Sequence, residues 1–164
     1  MSKKKKQGNP LLQSPWVGLE PDLTVDFGGI YLMTDLTSGC FYVGRKQFWK
    51  KRYGIKGCKT ALAAPGSPKW KAHCWVQTDW KNYGGSSNSW TAYVFENPDH
   101  EYERRFIAMC PTKGALNLAE AYAITSFRGL TDPRCFNKAL PSIKFRVRPD
   151  IWGQVRYDEV YFQP

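Results

Sequence analysis

The chain has 164 residues, with 24 Lys and Arg against 14 Asp and Glu and a net charge of +10; 42% of it is hydrophobic and 15% aromatic. That is the size of one domain, or of one domain with arms, with enough apolar material for a real core. No apolar run approaches the roughly 18–20 residues of a membrane span, and no apolar stretch follows the basic start "MSKKKKQGNPLLQSP", so secretion is not expected and a cytoplasmic location is. The basic surplus attracts polyanions, of which nucleic acid is the commonest, and the aromatics suit stacking on bases.

Residues 1–26 read as a basic, flexible N-terminal arm: a lysine run, then Pro10, Pro15 and Pro21 with little periodicity. The segment from Gly28 to Thr34 is apolar and β-prone. "DLTSG" is turn chemistry, and Phe41 to Gly44 makes a second strand, so the two pair as an antiparallel hairpin. "RKQFWKKRYGIKGCK" follows, very basic, and its first part reads as a short helix with Trp49, Arg52 and Tyr53 on neighbouring faces.

Residues 54–90 read as a loop insertion by their Gly, Ser and Pro content. Four tryptophans mark it as structured and packed, because disordered segments are poor in aromatics. "WTAYVFENPDH" fits a short helix or a strand. "YERRFIAMC" suits a third strand beside the hairpin. "PTKGALNLAEAYAITSF" is the best helix in the chain, with Leu116, Ala119, Tyr122, Ala123 and Phe127 as its apolar stripe and Glu120 beside that stripe. Residues 141–164 read as a C-terminal tail, with a strand-like piece at "IKFRVR".

The five cysteines, Cys40, Cys58, Cys74, Cys110 and Cys135, have no short zinc-type spacing, and the only histidines are His73 and His100. They read as reduced, mostly buried thiols.

The polar residues that chemistry could use are Tyr31 and Tyr42 on the paired strands, Arg52 ten residues after Tyr42, Glu120 on the helix and Asn137 seventeen residues beyond it. Gly29-Ile30-Tyr31 and Tyr42-Val43-Gly44, with these three residues in order, resemble the GIY-YIG nuclease family over residues 28–140. Within it, "YVGRKQFWKKR" followed by "TDWKNYGGSS" looks like a subgroup of free-standing phage-encoded endonucleases of the homing type. Many family members carry a Tyr or His four residues after the arginine; here that position is Lys56, and either Tyr53 or His73 serves instead or the subgroup does without.

The resemblance implies an α/β (α+β) fold, a small mainly antiparallel three-stranded sheet flanked by helices. It implies a metal-dependent DNA endonuclease acting on double-stranded DNA, in the host bacterial cytoplasm if phage-encoded. Glu120 is the implied sole protein ligand of one Mg²⁺ or Mn²⁺, and such sparse oxygen coordination suits either ion. Tyr31 is the implied general base, its pKa brought down from about 10 by nearby cations. Tyr42 holds water or phosphate, Arg52 offers a fork to two phosphate oxygens, and Asn137 fixes a loop or a phosphate. DNA contacts are expected from Arg45, Lys46, Trp49, Lys50 and Lys51 in the basic stretch. Trp80, Tyr83, Ser86 and Ser87 in the Trp-rich loop are expected to add to them. The competing reading is a non-catalytic nucleic-acid-binding protein that keeps the nuclease fold.

Overall fold

A computed structural model describes residues 8–53, 60–61, 72–144 and 146–162 of the chain. A 3₁₀ turn at Pro10–Gln13 precedes β1 (Trp16–Gly18), β2 (Gly28–Asp35), β3 (Phe41–Gln47), β4 (Trp49–Tyr53), β5 (Thr60–Ala61) and β6 (Ala72–Gln77). Then come α1 (Asn88–Glu96), β7 (Tyr102–Cys110), α2 (Lys113–Ser126), α3 (Pro149–Trp152) and β8 (Arg156–Tyr157).

The larger sheet runs β1-β7-β2-β3, with β8 also paired to β7. Its centre is the antiparallel trio that the hairpin and "YERRFIAMC" imply. β2 pairs with β3 from Gly28↔Gln47 to Thr34↔Phe41, which sets Tyr31 opposite Gly44. β2 also pairs with β7, with a bulge where Ile30 meets Ala108 but Tyr31 meets Phe106.

One face of this sheet carries α2. Ile30, Leu32, Val43 and Ile107 pack there against Leu116, Ala119 and Ala123. The opposite face carries α1 and the loop before it. There Tyr31, Met33, Tyr42 and Phe106 pack with Leu11, Trp80, Trp90 and Val94. Each large apolar side chain so buried contributes about 1.5–3 kcal/mol. Ser87 caps α1 by accepting from the Trp90 N–H at 3.2 Å, and Thr112 caps α2 by accepting from the Ala115 N–H at 3.2 Å.

Four expectations are corrected. The stretch after the hairpin is no helix: Trp49–Tyr53 is β4, in a second sheet of order β4-β6-β5. Trp49 packs against the core while Lys50, Lys51 and Arg52 stay exposed, and the β-prone "AHCWVQ" supplies the partner strand β6. The loop insertion therefore contains strands. The N-terminal segment docks from residue 10: Leu11 is buried, Trp16 stacks on Phe106 with ring centroids 4.2 Å apart, and β1 runs parallel to β7. The lysine run lies outside the described residues. The C-terminal segment also closes on the core, through Val155, Phe162 and β8, whereas the described residues of 143–148 form no strand.

The β2–β3 turn hangs on Asp35, which is fully buried. Its Oδ1 accepts from the Thr37 N–H at 2.8 Å, and its Oδ2 accepts from Ser38 at 2.7 Å and from Tyr93; His100 Nδ1 lies 2.7 Å from the same oxygen. Burial works to raise this pKa, but the hydrogen bonds from Tyr93, His100, Ser38 and Thr37 outweigh it and hold the carboxyl well below its usual range. Because the folded pKa is depressed, this stabilisation is complete above the unfolded carboxyl's value of about 4 and is lost as pH falls below it. Urea unfolding should show wild-type stability dropping below about pH 4. Asp35→Asn should cost on the order of 2–3 kcal/mol at pH 7 and lose much of that acid dependence.

Candidate active site

β3 is the outermost strand of the larger sheet, so side chains from both of its faces reach around one border. Tyr42 comes from the face covered by α1, and Arg45, opposite Ile30, from the face covered by α2. Together with Glu120, Ser87 and Asn137 they line a cavity of about 310 Å³, walled on the far side by Phe136 and residues 138–141. The segment before that wall is tied to β3: Phe41 N–H donates to the Arg134 carbonyl and Phe136 N–H to the Phe41 carbonyl, both at 2.9 Å. Asn137 completes the tie, accepting from the Val43 N–H at 2.9 Å and donating to the Val43 carbonyl at 2.8 Å. Its Oδ1 also accepts from the Cys135 thiol at 3.2 Å.

Glu120 is mostly buried, and its Oε2 accepts from Arg45 Nη1 at 2.5 Å. Burial raises its pKa, Arg45 lowers it, and burial prevails. Tyr42 stands nearby with its Oη 3.5 Å from Ser86 Oγ, at the outer limit of a hydrogen bond. Burial raises its pKa too, against the pull of Ser86 and Tyr31.

Tyr31 is fully buried, with its ring 6.0 Å from that of Tyr42 and 5.7 Å from that of Tyr83. Its hydroxyl makes no hydrogen bond of regular geometry among the described residues. Burial first, then Tyr42 and Tyr83, push its pKa well above 10. That reverses the downward shift expected from cations. Lys46, one of the cations expected to supply that shift, sits 3.9 Å from the centre of the Tyr83 ring, with its own pKa lowered by burial.

Arg52 is not part of this group. It is exposed on β4, opposite Cys74 in the second sheet, and does not line the cavity. The guanidinium that the structure brings to Glu120 is that of Arg45. Tyr53 and His73 face each other in register across β4 and β6, and Lys56 lies outside the described residues.

Trp80 is buried against Phe48 and Phe106 as a core residue, and Ser87 is a helix cap as well as a cavity residue. Tyr83, expected as a DNA contact, belongs to the phenol cluster. Its loop is held there by Arg104, whose guanidinium is buried and donates to the carbonyls of Ser14, Lys81 and Tyr83.

The SegE_GIY-YIG family model, described as "Putative endonuclease segE, GIY-YIG domain", matches residues 13–139. The chain belongs to the GIY-YIG endonuclease family. Comparisons with curated proteins and with solved structures give no match. The GIY-YIG match takes in β1 through Asn137 and so covers Tyr31, Tyr42, Arg45, Tyr83, Arg104, Glu120 and Asn137. It makes nucleic acid the substrate class.

The residues present fit the divalent ion that a GIY-YIG nuclease implies. Among the described residues that line the cavity Glu120 is the one carboxylate, and no group of three His, Cys, Asp or Glu that could hold a metal occurs among the described residues. A lone carboxylate beside phenol and hydroxyl oxygens is a hard donor set with room for waters and phosphate.

The Asn137 tie is testable. Asn137→Asp keeps the acceptor for Val43 N–H but sets an oxygen against the Val43 carbonyl. Urea denaturation should show a loss of about 1–3 kcal/mol at pH 7, recovered in part at acid pH, where the new carboxyl protonates.

Proposed function

We propose that the chain is a metal-dependent DNA endonuclease of the phage homing type, working on double-stranded DNA in the host bacterial cytoplasm. The observation that carries this reading is the cavity that joins Tyr42, Arg45 and Glu120 at the border of β3. No helix among the described residues is long and apolar enough to cross a membrane.

Hydrolysis joins a water oxygen to phosphorus and breaks the P–O3′ bond, leaving a 5′-phosphate and a 3′-hydroxyl. The Arg45 fork, shared with Glu120 in the free protein, is placed to take phosphate oxygens. Glu120 would hold Mg²⁺ or Mn²⁺, which supplies Lewis-acid stabilisation of the phosphate and leaving oxygen when bound. The water's proton goes to a phenolate of the Tyr31–Tyr42 pair, and the 3′ oxygen takes a proton from solvent. Tyr42 faces the cavity, so it is the phenol placed to take that proton; Tyr31 braces it from behind. Binding rests mainly on phosphate contacts from Arg45, Lys46, Lys50 and Lys51 and is expected to weaken steeply with salt.

Conversion of supercoiled plasmid to open circle or linear DNA with Mg²⁺ or Mn²⁺ tests this. Wild type should cut, and Glu120→Ala should lose at least 100-fold in rate, on the order expected for a central electrostatic group. Arg45→Ala should lose far more than Arg52→Ala. Equal loss from Arg52→Ala would return the phosphate role to that residue. DNA binding without cutting by any variant would favour the non-catalytic reading.

The pH dependence follows from the phenols. A base with a raised pKa is protonated at neutral pH, so the rate should climb about tenfold per pH unit between pH 6 and 9 without levelling off. A plateau below pH 8 would exclude a tyrosine base.

A further inference from the structure

A second cavity, of about 330 Å³, opens where the second sheet meets the segment leading into β2. Its walls are largely aromatic and apolar: Phe27, Trp49, Trp75, Leu23 and Pro111. Lys51 stands directly opposite Trp75 in the β4–β6 register, and its Nζ lies 5.1 Å from the centre of the indole ring. Phe27 meets Trp75 edge-on at 5.8 Å. Trp75 is 45% exposed, the one exposed tryptophan among the described residues. Trp16, Trp49, Trp80, Trp90 and Trp152 are all more deeply packed.

We propose that this cleft binds an unstacked nucleobase of a DNA strand, with Trp75 as the stacking platform and Lys51 on the flanking phosphate. The inference rests on the nuclease reading and extends it to a contact away from the cavity. An indole face accepts any base, and a neighbouring ammonium is complementary to the backbone that carries it. Lys50 and Arg52 are also exposed on β4 but alternate to the opposite face of its sheet, so Lys51 is the β4 cation on the cleft side. The acidic wall residue, Asp26, is paired with Arg156 at 2.5 Å and does not stand as a free negative charge. The chain runs from Tyr42 to Trp49 almost wholly as strand, so that path between the two cavities is roughly 23 Å long, about seven base pairs of duplex rise. A duplex lying across both would be cut at one and opened at the other.

Two labelled oligomers separate base capture from phosphate contact: a 20-mer of deoxythymidylate and a 20-mer of abasic deoxyribose phosphate, with equal charge. Fluorescence anisotropy without divalent metal avoids cleavage. Wild type should bind the thymidylate 20-mer about 5- to 150-fold more tightly than the abasic one, the range for one to three kcal/mol of stacking. Trp75→Ala should remove most of that difference and leave abasic binding unchanged, while Trp75→Phe should keep much of it. Equal affinity of wild type for both oligomers would overturn the proposal, as would a Trp75→Ala loss that is the same for both. If neither oligomer binds but plasmid is still nicked, base capture fails and the nuclease reading stands. If plasmid is untouched as well, both fail.

Discussion

The site depends on a ring lying across a glycine. Tyr31 on β2 faces Gly44 on β3, and a Cβ at position 44 would come within 2.3 Å of the Tyr31 hydroxyl and 2.5 Å of its ring. Any side chain there would displace the phenol. The first motif supplies the ring and the second supplies the gap, so neither has its effect alone. Once seated, Tyr31 braces Tyr42, Tyr83 and Trp16, all with ring centroids within 6.0 Å of its own. The loop with Tyr83 and the segment with Trp16 thereby lean on the same residue.

Two layers with different chemistry meet at the border of β3. The α2 face is mostly aliphatic and delivers one largely buried carboxylate, Glu120, on a capped helix. The α1 face is aromatic and delivers phenols. Its irregular segments are tied by a buried cation: Arg104 pairs with no carboxylate among the described residues and instead fills its donors with carbonyls from two distant segments. That arrangement desolvates the guanidinium, which lowers its pKa, yet it satisfies polar backbone groups that an apolar core could not. The cavity is where the carboxylate of one layer and the phenol of the other share a boundary, with Arg45 between them.

The hairpin, the third strand and α2 were legible because each has strong local chemistry: turn residues between β-prone runs, and a long alanine- and leucine-rich segment with an apolar stripe. Glu120 was legible for the same reason, since its place beside the stripe follows from helical spacing. Arg52 and Arg45 could not be sorted locally. Spacing within a basic run points to the former, whereas the register of β3 and the turn into a second sheet bring the latter to Glu120. Tyr83 depends on a clamp from a residue 21 positions away, and no short-range signal carries that. The docked ends were missed because proline and lysine content hides single anchors such as Leu11 and Phe162.

Asn137 has a consequence outside chemistry. β3 ends the sheet, and an unpaired outer strand offers its N–H and C=O groups to any passing chain. Here the bridge of Phe41 to Cys135 and the amide of Asn137 occupy those groups from Phe41 to Val43. The amide acts as a one-residue imitation of a neighbouring strand. A segment that walls the cavity thus also shields the start of this outer strand from edge-to-edge pairing with a second chain.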